Sequence, residues 1–128
     1  MGIPLDAVRP AYLLYSPNSQ QGSAMTDMDR LKLAIRKLHG VDSRHRKSVR
    51  VREIFCGIKL WDGIVEHFDL YGHPTATRVY AWSYPAEDEP NRTRCVAVLN
   101  RKPVFSPETA VRAFISNEFR NIEVELEA

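Results

Sequence analysis

Two cysteines in 128 residues are too few for a disulfide framework. Cys56 and Cys95 both fall inside apolar, strand-like runs, so they read as reduced thiols of a cytoplasmic protein. The chain has no hydrophobic run of transmembrane length, and "AYLLY" at 11–15 is too short for a signal-peptide core, so no membrane partner is expected. Position 6 is Asp6 where an N-myristoylation signal requires Ser or Thr. Glycine is scarce, at six residues, and none forms a phosphate-cradling loop, a dinucleotide fingerprint or a nucleophile elbow. The sequence therefore assigns no cofactor, no metal and no catalytic residue.

What is present is the composition of one ordinary soluble domain. Hydrophobic residues make up 44% of the chain, enough for a core. The formal net charge of +2 is too small to argue for nucleic acid. Its distribution is uneven. Residues 27–52 hold nine Lys/Arg against three Asp, whereas 53–128 hold eight Lys/Arg against twelve Asp/Glu.

Residues 1–24 read as an N-terminal tail or arm, since 16–24 ("SPNSQQGSA") form an aperiodic polar linker. "AYLLY" could cover an apolar surface of its own chain or of a partner. Residues 25–128 read as a single α+β domain. Thr26 or Asp27 caps a first helix whose buried stripe is Leu31, Ala34, Ile35 and Leu38, with Gly40 as its stop. Strands are expected at 49–61 with a bulge at Cys56-Gly57, at 64–71, 78–84 and 93–99. Asp62-Gly63 is the strongest two-residue hairpin signal. Ser106-Pro107-Glu108 opens a second helix that buries Val111, Phe114, Ile115 and Phe119. "IEVELEA" at 122–128 alternates like a short final strand. The expected order is α-β-β-β-β-α. It implies a mostly antiparallel four- or five-stranded sheet with two helices on one face.

Two constellations suggest binding. In the basic run "SRHRKSVRVRE" (43–53), Arg50 and Arg52 share one strand face, as do Glu123, Glu125 and Glu127 further on. The two segments could pair charge against charge, within the chain or between two copies. Arg44, Arg46 and Lys47 then remain in the preceding loop as possible nucleic-acid contacts. The element order also resembles that of the double-stranded RNA-binding domain. That family meets phosphates with a Lys-rich start to its last helix, and here the helix starts "SPETAVRA", so no residue is carried over.

The second constellation is one sheet face bearing His67, Asp69, Arg78, Tyr80, Trp82 and Tyr84. These residue types suit a partner interface or a stacking platform. His67 and Asp69, with His73 in the following turn, could also serve an acid/base enzyme or hold a metal, but their spacing fits no strong signature. The sequence is thus read as a non-enzymatic interaction or ligand-binding domain, expected as a homodimer. It would associate through the aromatic face or a charged strand edge. A small-molecule ligand is allowed, nucleic acid is the alternative, and a His/Asp enzyme is the third reading.

Overall fold

The computed structural model describes residues 25–87, 91–117 and 119–127. The tail at 1–24 lies outside them. Helix α1 (Asp27–His39) leads into strands β1 (Asp42–Phe55), β2 (Ile58–Tyr71), β3 (Arg78–Pro85) and β4 (Arg92–Leu99). Helix α2 (Pro107–Ile115) and strand β5 (Glu123–Glu127) follow. The strands form one antiparallel meander in the order β1-β2-β3-β4-β5. The α+β class, the antiparallel sheet and the fifth strand agree with the sequence reading.

Both helices begin where their caps dictate. The Thr26 hydroxyl accepts from Asp29 N at 3.1 Å, and Thr26 N donates back to the Asp29 carboxylate. Ser106 and Thr109 form the equivalent box before Pro107. Gly40, in the left-handed region at φ 75°, ends α1 by donating to the Arg36 carbonyl.

The helices do not share a face. Leu31, Ala34 and Ile35 of α1 pack with Phe68, Val79, Ala81, Cys95 and Ala97. Ala110, Val111 and Ala113 of α2 pack with Tyr80, Trp82, Val96 and Val98, on the opposite side. Alternate residues of β3 and β4 thus enter two cores. The aromatic face takes α2 because that helix presents alanines, which let it approach large rings closely. Burying those rings also removes far more apolar area from water than leaving them wet.

Three local expectations change. Asp62-Gly63 is not a turn but lies within β2. The hairpin closes at Cys56-Gly57, with φ of 51° and 76°, the doubly left-handed geometry of a type I′ turn. Cysteine gives no turn signal, whereas Asp62 is used by charge pairing and Gly63 by an aromatic ring described below. Second, Arg44, Arg46 and Lys47 belong to β1 rather than to a loop, with Arg46 at a bulge between His45 and Lys47. Third, β1 and β5 lie at opposite edges of the sheet, so "VRVRE" and "IEVELE" do not pair within the chain. Glu123 and Glu125 face Arg94 and Arg92 of β4, at 3.2–3.5 Å. Arg50 instead grips Asp62 of β2 through two bonds of 2.9 and 3.1 Å.

Cys56→Asn supplies the residue that a type I′ turn prefers, and should raise stability by about 0.5–1 kcal/mol in urea unfolding. Gly57→Ala should lower it by about 1 kcal/mol. Loss of stability in Cys56→Asn would contradict the turn assignment.

Candidate interaction site

Strand β2 pairs with β1 along its whole length but with β3 only from Glu66↔Ala81 to Asp69↔Arg78. Its first half therefore leaves the sheet. Together with the end of β1 it forms a two-stranded arm. Aromatic side chains fill the base of the fork. Trp61 lies over Gly63, where an added Cβ would sit 3.0 Å from the indole. The same indole meets Trp82 edge-on at 5.3 Å, and Trp82 meets Phe114 of α2 at 5.4 Å. Glycine at 63 is thus a steric requirement of the Trp61 rotamer.

Between arm and β3 lies a cleft of about 350 Å³, bounded by 61–64, 82–84 and Phe114. Its chemistry is mainly aromatic. The Trp82 Nε1 hydrogen is buried and has no acceptor among the described residues. The Tyr84 hydroxyl donates to Glu123, which also pairs with Arg94 at 3.2 Å. Burial, and then this bond to a carboxylate, push the Tyr84 phenol up to about 12. On the arm, Arg50, Arg52 and Lys59 surround Asp62; the Arg50 hydrogen bond leads the effects that hold its carboxyl below the usual value.

Beyond the fork the arm carries large apolar side chains that are exposed among the described residues. Ile54, Phe55, Ile58, Leu60 and Ile64 are between 47% and 68% exposed. Ile54, Phe55 and Ile58 flank the turn, Leu60 is the extra residue where the β1–β2 register shifts, and Ile64 lies opposite Arg50. Large apolar side chains clustered in this way are unusual on a surface that meets only water. Composition gave no warning, because the same residues read equally well as core strands.

The six residues of the aromatic constellation do share one sheet face, but α2 covers its centre. Tyr80 and Trp82 are 1% and 3% exposed and form core. Trp82 and Tyr84 nevertheless line the cleft from below. His67 is buried against Tyr80 at 4.9 Å, with neither ring nitrogen bonded to a described residue. Burial, then Lys47 and Arg78, hold its pKa below the ordinary value, which favours neutral imidazole. Asp69 pairs with Arg46 at 3.0 Å rather than with His67. Arg78 pairs with Asp69 by strand register, away from the cleft. His73 lies in the β2–β3 turn, where its Nδ1 accepts from Thr75 N and Ala76 N. Arg44 and Lys47 are exposed on the β1 edge without ion pairs among the described residues.

Comparison with known proteins finds no matching family model, no matching curated protein and no matching solved structure. Among the described residues, no helix is long and apolar enough to cross a membrane.

The raised Tyr84 pKa has a definite sign. Below pH 10 the phenol is protonated folded and unfolded, so its contribution to stability is fully present; it is lost as pH rises from 10 towards 12. Denaturation midpoints should therefore fall across that window, and fall less steeply in Tyr84→Phe. Equal slopes would show that the Tyr84–Glu123 bond does not operate in solution.

Proposed function

We propose that this protein is a non-enzymatic interaction module that self-associates through its β1–β2 arm. The observation that carries this reading is the cluster of five exposed large apolar side chains on one projecting hairpin. A second copy is the favoured occupant because each copy bears both halves of a contact. The tip residues Ile54 and Phe55 are apolar projections, and the fork holds an aromatic cleft of matching character. Reciprocal insertion about a twofold axis would use both halves in each protomer and leave none open. Charge supports the same arrangement. The arm bears Arg50, Arg52 and Lys59, while the β3–β4 connection at the same end of the sheet includes Glu87.

This reading replaces the aromatic-platform version of self-association with one centred on residues outside the core. Phe55 and Ile58 are exposed, so charging them tests association without disturbing the fold. Sedimentation velocity should give twice 14.7 kDa for the unaltered chain and the single-chain mass for Phe55→Asp/Ile58→Asp, with unchanged circular dichroism. A wild-type chain that stays at 14.7 kDa at high concentration would sink the proposal, and so would an open-ended series of larger species.

A further inference from the structure

A second cleft, at the end of the sheet away from the arm, has a different chemistry. Its volume is about 350 Å³, within the range of small-ligand sites. Five basic side chains line it: His39, His73, Arg101, Lys102 and Arg120. No carboxylate among the described residues does. Arg101, Lys102 and Arg120 have no ion pair among the described residues, whereas Arg46, Arg50, Arg94 and Arg112 each hold an acid. Three exposed cations without an acid partner around one concavity give it a positive potential that attracts an anion.

The walls are fixed by backbone chemistry rather than by loose loops. Strand β5 begins at Glu123, opposite Val96, so the next residue of β4 lacks a strand neighbour on that side. Ala97 N donates to the Ile122 carbonyl at 2.7 Å, and the Ala97 carbonyl accepts from His39 Nε2 at 2.8 Å. One residue thus ties both the end of α1 and the 119–122 segment to the sheet. Because His39 Nε2 donates, its Nδ1 is left available. Because His73 Nδ1 accepts two backbone N–H groups, Nε2 is the remaining donor of that ring. Leu38, Phe119 and Ile122 supply an apolar floor beside these polar groups.

We propose that this cleft binds a small organic phosphate monoester, its dianion held by Arg101, Lys102 and Arg120 with the histidines, and its organic group against Phe119 and Ile122. Guanidinium and ammonium donors suit a multi-oxygen dianion better than a single carboxylate. The site is independent of the arm, so neither proposal stands on the other.

Protonation should be coupled to binding. Burial chiefly lowers the His39 pKa, partly offset by the Ala97 carbonyl, and His73 and Arg101 lower it further. Lys102 and Arg120 face the same cleft, while Arg36 and Lys37 lie on His39's own last helical turn. An anion seated among these cations favours imidazolium, so affinity should rise as pH falls from 8 towards 7, above the range near 6 where the monoester loses its dianion.

Phenyl phosphate, inorganic phosphate and benzoate should be titrated into the full chain, following the His39 and His73 ring resonances by NMR. The expected order at pH 6.5 is phenyl phosphate tightest, with inorganic phosphate and benzoate each at least ~10-fold weaker. Arg101→Gln/Arg120→Gln should weaken phenyl phosphate by ~10-fold or more with the thermal midpoint unchanged. Lys32→Gln/Arg44→Gln, which removes two exposed charges outside the cleft, should leave binding intact. The proposal is overturned by the absence of saturable shifts at either histidine or by benzoate binding equal to phenyl phosphate. An equal loss of binding in the two double variants would overturn it as well.

Discussion

The structure depends on β3 and β4 being apolar on both faces. An antiparallel meander usually buries one face and wets the other. Here Val79, Ala81, Cys95 and Ala97 point into one core, and Tyr80, Trp82, Val96 and Val98 into the other. The two strands form a shared wall between α1 and α2. Everything outside that wall has fewer constraints, and both candidate sites lie where its double coverage ends. The arm begins where β2 leaves β3. The basic cleft begins where β5 stops short of the end of β4.

The arm follows from the size of the rings on the α2 face. Trp61 and Trp82 meet edge-on at the fork, and Gly63 leaves room for the Trp61 indole. Strand β2 is therefore tied to β1 for all its length but to β3 for four residue pairs only. A long hairpin with one free inner edge is the result, and the apolar residues on its outer half have no helix above them.

Much of the architecture was legible in the sequence. Helix caps, strand alternation and element order identified both helices, β3, β4 and the short β5 allowed as a fifth strand, while the expected strand at 49–61 straddled the end of β1 and the start of β2. The six-residue constellation was correctly grouped on one face by period-two parity. What periodicity could not supply was which helix covers which face, since Ala110 and Ala113 look unremarkable until they are set against Trp82 and Tyr80. The turn was misplaced because Cys56 has no turn propensity while Asp62-Gly63 has a strong one. Asp62 is instead the centre of a charge cluster. The basic cleft drew no notice in the sequence because its cations come from four separate segments, and only the ends of the sheet bring them together.

The charged run on β1 also has a consequence for the assembled sheet. A fourteen-residue outer strand presents a long row of backbone donors and acceptors to any other chain. Such rows recruit foreign strands and lead to aggregation. On β4, past the last residue that β5 pairs, the Ala97 carbonyl accepts from His39 and its N–H donates to the Ile122 carbonyl. Among the described residues no side chain caps the outer edge of β1, and Arg44, Arg46, Lys47, Arg50 and Arg52 stand along it. Any strand laid edge to edge against a second β1 would bring these cations together. Like charges along this border disfavour edge-to-edge pairing of two β1 strands.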